Sequence, residues 1–99
     1  MVKHIVLFKL KETLSPAEKA DIMNRFKTAI EALPATIPFI RDIHVGLNEN
    51  QAEVWDICLD SSFDTLDDVK AYAIHPAHVA AASILKEAKE NRACVDYTI

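Results

Sequence analysis

The segment from residue 2 to residue 11 is apolar on both faces of a predicted β-strand. Successive side chains of a strand point to opposite faces, and each of the two alternating sets here contains apolar residues: His4, Val6, Phe8 and Leu10 on one face, Ile5, Leu7, Lys9 and Lys11 on the other. Such a strand needs cover on both sides, because apolar groups left in water lose the free energy of burial. Helices of the same chain can cover one face. We therefore expect a second copy of the protein to cover the other.

The rest of the chain follows a βαββαβ order. The predicted elements are a helix from the capping box Ser15-Pro16-Ala17-Glu18 to Leu33, strands over 39–46 and from Val54 to Leu59, a helix from Asp64 that is broken at Pro76 and continues to about Glu90, and a strand from Arg92 to Ile99. This order predicts one α+β domain over residues 1–99 with a ferredoxin-like plait, an antiparallel sheet and both helices on one face. Two such sheets facing each other would form a homodimeric α/β barrel.

Composition narrows the classes of partner. Fifteen acidic against eleven basic residues give a formal charge of −4, and no stripe of Lys or Arg is present, which argues against nucleic acid or an anionic membrane. The apolar runs are too short to span a bilayer, and the short apolar core of the first strand lacks the cleavage site of a signal peptide. We expect Cys58 and Cys94 to be buried free thiols of a cytoplasmic protein, with a disulfide as the alternative.

The run from Tyr72 to Val79 places a phenol and two imidazoles around a predicted helix break. Pro76 has no N–H and disfavours helical backbone at His75, so one helix should end there and another begin. His78 then lies in the first turn of the second helix, where the dipole disfavours imidazolium while a nearby carboxylate would favour it. The sequence therefore predicts a histidine tuned near neutral pH and suited to proton transfer.

Several segments, taken together and in order, resemble one family over essentially the whole chain. They are the opening strand Lys3–Lys11, Asp56, Phe63, the run from Tyr72 through His78, and Asp96-Tyr97 near the C-terminus. These segments are similar to the stress-responsive dimeric α/β-barrel (Dabb) family. The resemblance implies the same plait and the same homodimer.

Within that family, the segment Ile74–Val79 and the later Asp96-Tyr97-Thr98 are similar to a plant polyketide cyclase, which closes its substrate by aldol condensation without a cofactor. This resemblance implies that His78 is the catalytic acid/base, that Tyr72 holds the substrate oxygen and that Asp96 orients His78. It also implies that His4 lines the pocket. The cyclase has a further pocket histidine where this chain has Ile57, which implies a pocket of different shape.

Two classes of function stay open. In the first, a homodimer binds a small aromatic or polyketide-like molecule and rearranges it as a cyclase-like lyase or isomerase without cofactor or metal; the expected lining is His4, Val6, Phe8, Trp55, Ile57 and Leu59. In the second, the polar cluster only orders the barrel of a non-catalytic, stress-associated binding or structural protein. A cavity of about 300 to 1,000 Å³ beside His78 would favour the first. A barrel filled by Phe8, Trp55 and Leu59 would favour the second.

Other polar residues have structural interpretations. We expect His75 to cap a helix or to lie in an interface. His75 and His78 together with His4 form only a weak zinc pattern without a fixed fourth ligand, so the sequence predicts no metal there. Asp56 is expected to hold the sheet through a hydrogen bond rather than to act in catalysis.

Overall fold

The computed structural model describes residues 1–99 and contains one four-stranded antiparallel sheet. The elements in chain order are β1 (Val2–Leu10), α1 (Pro16–Glu31), β2 (Asp42–Leu47), β3 (Ile57–Phe63), α2 (Leu66–Ile74), α3 (Pro76–Ala82) and β4 (Lys89–Thr98), with 3-10 turns at Leu33–Ala35 and Ser83–Leu85. The strand order is β2-β3-β1-β4, and every neighbouring pair is antiparallel. This topology confirms the predicted ferredoxin-like plait.

Helix α1 begins at the capping box that the sequence predicts. The Ser15 hydroxyl accepts a hydrogen bond from the Glu18 N–H at 3.1 Å, and the Glu18 carboxylate accepts one from the Ser15 N–H at 2.8 Å. Pro16 occupies the first helical position, where its missing N–H is not needed. Phe26 and Ile30, both almost completely buried, turn the apolar side of the helix toward the sheet.

The register of β1 decides which of its two apolar sets meets the helices. Val6 and Leu10 are 2% and 0% exposed and pack in the core with Phe26 and Ile30, so this set faces α1. A homodimeric barrel was expected to bury His4, Val6, Phe8 or Leu10 near the space shared by the two copies, and this expectation is wrong. They fill the space between the sheet and the helices of one chain.

The other face of the sheet, here called the open face, carries the second apolar set. Cross-strand partners share a face, and the register pairs Ile5 with Val95 and Leu7 with Ala93. Val95 is 54% exposed although it is apolar. The open face is thus an apolar surface that no element of the chain covers.

The last helix ends earlier, and the last strand begins earlier, than the sequence predicts. The sequence predicts a helix to about Glu90, but α3 ends at Ala82, one 3-10 turn follows, and β4 already begins at Lys89. The cause is the pairing of β1, because Leu10 at the end of that strand finds its partner in Lys89. Tertiary pairing overrides the helical propensity of this alanine-rich segment.

Smaller differences affect the middle strands and the start of α2. Strand β3 begins at Ile57, three residues later than predicted. Asp56, just before it, accepts a hydrogen bond from the Leu10 N–H through its carboxylate at 2.7 Å. This bond confirms the structural interpretation of Asp56. The cap of α2 is Thr65, whose hydroxyl accepts from the Asp68 N–H. Asp64, the predicted start, instead forms an ion pair with Arg41.

The two cysteines are free thiols on opposite faces of the sheet. Cys58 pairs with Leu7 and Cys94 with Val6, and neighbouring residues of a strand point to opposite sides. A disulfide between them within one chain is therefore excluded by geometry. The expected burial is wrong, since Cys58 is half-buried and Cys94 is exposed.

None of the helices combines the length and apolar character that crossing a bilayer requires.

Candidate functional site

A cavity of about 140 Å³ lies between the helix-facing side of the sheet and the helices α2 and α3. Its wall includes six of the residues that the sequence analysis selects: His4, Val6, Phe8, Leu59, Tyr72 and His78. Trp55 and Ile57 are not part of it, because Ile57 is buried in the core and Trp55 precedes β3. The cavity reaches His78, yet its volume is below the 300 Å³ or more that is typical of small-molecule sites.

The helix break places His78 beside the cavity with a defined tautomer. His75 ends α2 and caps α3, where its Nδ1 accepts a hydrogen bond from the Ala77 N–H at 3.1 Å; this confirms its predicted capping role. The Nδ1 of His78 lies 3.0 Å from the Ala73 carbonyl oxygen. A carbonyl only accepts, so Nδ1 carries the proton and Nε2 keeps a free lone pair.

Burial is the main influence on the charge of His78. It lowers the pKa of the ring, and the nearby His4, Arg92 and His75 lower it further, whereas the hydrogen bond to Ala73 opposes them. The neutral form is therefore favoured at neutral pH. A neutral imidazole with a free Nε2 can accept a proton.

Tyr72 lines the same cavity and carries a buried hydroxyl without a hydrogen-bond partner. The residue is 1% exposed, and its hydroxyl forms no hydrogen bond with any group of the protein. Its ring centre lies 4.3 Å from that of His78, and burial raises the pKa of the phenol. The raised pKa keeps the hydroxyl protonated, so it is a hydrogen-bond donor. Because buried polar groups are nearly always hydrogen-bonded, a donor without an acceptor in the protein is suited to a ligand oxygen.

The carboxylate of Asp96 is hydrogen-bonded to His4 and not to His78. Its Oδ1 accepts a hydrogen bond from His4 Nδ1, and the two residues are direct partners in the pairing of β1 with β4. The predicted pair of Asp96 with His78 is therefore wrong, because His78 satisfies its Nδ1 on the carbonyl of its own helix break. Knowledge of the strand register would have revealed the His4 pair.

Two cations that the sequence analysis did not select also line the cavity. Lys89 and Arg92 lie on β4 in its wall, and neither forms an ion pair with a carboxylate of the chain. The sequence predicts that Lys89 lies in a helix that continues to about Glu90. Its position in the cavity follows only from the early start of β4.

We expect the His78 ring to titrate in an NMR experiment with a midpoint below the ordinary value of about 6.5. The sign follows from burial, since a desolvated imidazolium releases its proton at lower pH. Asp96→Asn should leave this midpoint nearly unchanged while it alters the nitrogen chemical shift of His4 Nδ1. A large shift of the His78 midpoint in Asp96→Asn would contradict the assignment of Asp96 to His4.

Comparison with known proteins yields one family and several relatives. The family model described as the stress responsive A/B barrel domain matches residues 2–99. Olivetolic acid cyclase from Cannabis sativa is 25% identical over 98% of this chain and 95% of its own length. A protein of unknown function from Streptomyces coelicolor is 30% identical over 88% of this chain and 89% of its own length.

Among solved structures, a dimeric protein of unknown function and ferredoxin-like fold from Bacteroides fragilis superposes with a TM-score of 0.98. It is 63% identical, and the alignment covers 99% of this chain and 95% of that one. The identity and the superposition together show that this chain shares its fold with an experimentally determined relative.

Proposed function

The chain belongs to the stress-responsive A/B barrel domain family, and from that premise we propose a homodimer that binds a small, oxygen-bearing aromatic or polyketide-like molecule in the cavity of each chain. We further propose acid/base chemistry at His78 and Tyr72 without a cofactor. The observation that carries the proposal is the buried Tyr72 hydroxyl, which has no partner in the protein and belongs to a ring that packs against the His78 imidazole. A cyclase among the relatives supports the class of reaction.

The two side chains can together carry out an enolisation. His78 Nε2 takes the proton from a carbon next to a carbonyl group, and the electrons of that C–H bond move to the carbonyl oxygen. The Tyr72 hydroxyl donates a hydrogen bond to this developing oxyanion, as preorganised donors do in other enzymes. The enolate carbon then attacks a second carbonyl, whose oxygen receives the proton from His78. The ring closes and both side chains return to their starting state.

The size and charge of the cavity define the ligand more closely. About 140 Å³ accommodates one aromatic ring, or a short chain folded to the size of one ring. Lys89 and Arg92 at its wall are cations without carboxylate partners, so the matching ligand carries a carboxylate beside its ring. Arg in particular binds carboxylates through two parallel hydrogen bonds.

We expect 3-hydroxybenzoate to bind about 10-fold more tightly than its amide, 3-hydroxybenzamide, because hydrogen bonds to a charged group contribute about 1.5–3 kcal/mol and exposure to water reduces that gain. Isothermal titration calorimetry at low salt measures the difference. The double variant Lys89→Gln/Arg92→Gln should lose the preference, whereas Lys86→Gln, which changes a lysine outside the cavity wall, should keep it. Equal affinity for acid and amide in the unaltered protein would refute the carboxylate assignment.

A second candidate function is binding without catalysis, and the small volume of the cavity favours it. In that case the protein holds a ligand in the same cavity but does not turn it over. A panel of poly-β-keto and enolisable aromatic compounds, followed by mass spectrometry with chelator present, distinguishes the two. Product formation supports catalysis. Binding of 3-hydroxybenzoate with no turnover across the panel supports the second candidate.

We propose a cytoplasmic homodimer that associates through the open face. The apolar side chains there, among them Ile5, Leu7 and Val95, have no cover within the chain. The relative from Bacteroides fragilis, at 63% identity, is described as dimeric. Two open faces in contact would bury the second apolar set of β1.

A further inference from the structure

Three potential metal ligands converge on the helix-facing side of β1 and β4. His4 lies directly opposite Asp96, and Cys94 is two residues before Asp96 on the same strand. Residues with this spacing point to the same side of the sheet. The ring nitrogen, the thiol sulfur and a carboxylate oxygen all lie within 4.8 Å of one another.

The distances suit zinc. With Zn–N of about 2.0–2.1 Å and Zn–S of about 2.3 Å, tetrahedral geometry separates nitrogen from sulfur by about 3.6 Å. The observed distance between Cys94 Sγ and His4 Nδ1 is 3.7 Å. The Asp96 carboxylate is hydrogen-bonded directly to His4 Nδ1, so it must turn outward to admit the ion between them. Its side chain is 32% exposed, which leaves room for that rotation.

The donor set also suits zinc and leaves a position free. Zinc takes thiolate, imidazole and carboxylate ligands, and sites with three protein ligands keep the fourth position for water or a ligand. The three residues lie on two hydrogen-bonded strands, so their backbone is already ordered and zinc binding costs little conformational entropy. Cys94 is exposed, which gives the ion a path from solvent.

We propose that His4, Cys94 and Asp96 form a three-ligand zinc site with an open fourth position. On binding, the Cys94 thiol loses its proton to solvent, Nδ1 of His4 becomes a ligand, and the proton of the neutral ring resides on Nε2. The hydrogen bond between His4 and Asp96 is replaced by two bonds to the metal. The zinc site shares His4 with the cavity wall but uses neither His78 nor Tyr72. Its test measures metal binding and not turnover, so its outcome can be told apart from that of the proposed function.

The experiment titrates chelator-treated, reduced protein with Zn²⁺ in competition with a chromophoric chelator, and with Co²⁺ as a spectroscopic probe. We expect one ion per chain and a Co²⁺ spectrum with a thiolate charge-transfer band and tetrahedral ligand-field bands. Cys94→Ser should abolish the charge-transfer band and weaken Zn²⁺ binding by at least 10- to 100-fold, the loss that even an indirect metal contact produces. Asp96→Asn should weaken binding to a similar degree.

The chain provides matched controls. Cys58→Ser removes the other thiol, on the opposite face of the sheet, and should leave both titrations unchanged. His44→Ala removes a histidine that pairs with Asp42 at 2.9 Å but has no thiol beside it, and it should also leave them unchanged. Circular dichroism of each variant verifies its fold. Octahedral Co²⁺ without a thiolate band, or an equal loss of affinity in Cys58→Ser and Cys94→Ser, would overturn the proposal.

Discussion

Replacing His78 by alanine should lower the turnover of an accepted poly-β-keto substrate by about 10²- to 10⁴-fold, the usual contribution of one positioned acid/base group. Tyr72→Phe should cause a loss of similar order, because it removes the donor that meets the developing oxyanion. Mass spectrometry of timed reactions gives both rates. His44→Ala and Tyr97→Phe are the matched controls, since they change the same residue types on the open face, and they should retain full activity.

The stability of Tyr72→Phe separates a functional role from a structural one. Its hydroxyl is buried without a partner, so removing it takes away an unsatisfied polar group instead of a stabilising contact. We therefore expect thermal unfolding of the ligand-free variant at the same temperature as the unaltered protein or higher, together with the loss of turnover. A marked drop in melting temperature would mean that the hydroxyl has a structural partner. Unchanged turnover in His78→Ala would end the catalytic assignment.

Leu7→Asp should convert the proposed homodimer into a monomer at micromolar concentration. The substitution places an unpaired carboxylate in the middle of an apolar contact, at a cost of about 3 kcal/mol or more, which corresponds to at least about 100-fold in the dissociation constant. Sedimentation velocity over a range of concentrations measures the change. Because Leu7 is on the open face, the fold of each chain should survive.

Two comparisons make the dimer test specific. Val79→Asp puts the same charge on an exposed apolar residue of α3, 54% exposed, and should leave the dimer intact. Phe8→Asp should instead unfold the chain, because the Phe8 ring packs edge-on against Phe26 at a centroid distance of 5.6 Å. A dimer that persists in Leu7→Asp, or an unaltered protein that sediments as a monomer, would rule out association through the open face.

Local sequence patterns predicted the parts of the structure that local chemistry decides. The capping box fixed the start of α1, and Pro76 fixed the break that brings His78 beside Tyr72. Both depend on residues within one or two turns of each other. The position of Tyr72 and His78 in one cavity could therefore be predicted.

The face of β1 and the partner of Asp96 depend on contacts distant in sequence. Both sides of β1 are apolar, so alternation alone does not show which side meets α1. The pairing of Asp96 with His4 requires the register of β1 against β4, and the wall position of Lys89 requires that β4 begin before residue 90. The partner of Asp96 and the position of Lys89 both depend on the pairing of the first and last strands. The local sequence pattern does not predict that pairing.

The even-numbered residues of strand β1 face the helices, with His4, Val6 and Phe8 lining the cavity, and its odd-numbered residues face the open side. Because the side-chain period of a strand is two, a shift of one residue would exchange the two sets completely. A single deletion between His4 and Phe8 would reverse the faces of the residues on one side of it, so that His4 and Phe8 could no longer both face the cavity. Homologous proteins can therefore diversify this strand by substitution, whereas insertions and deletions must fall in the loops that flank it.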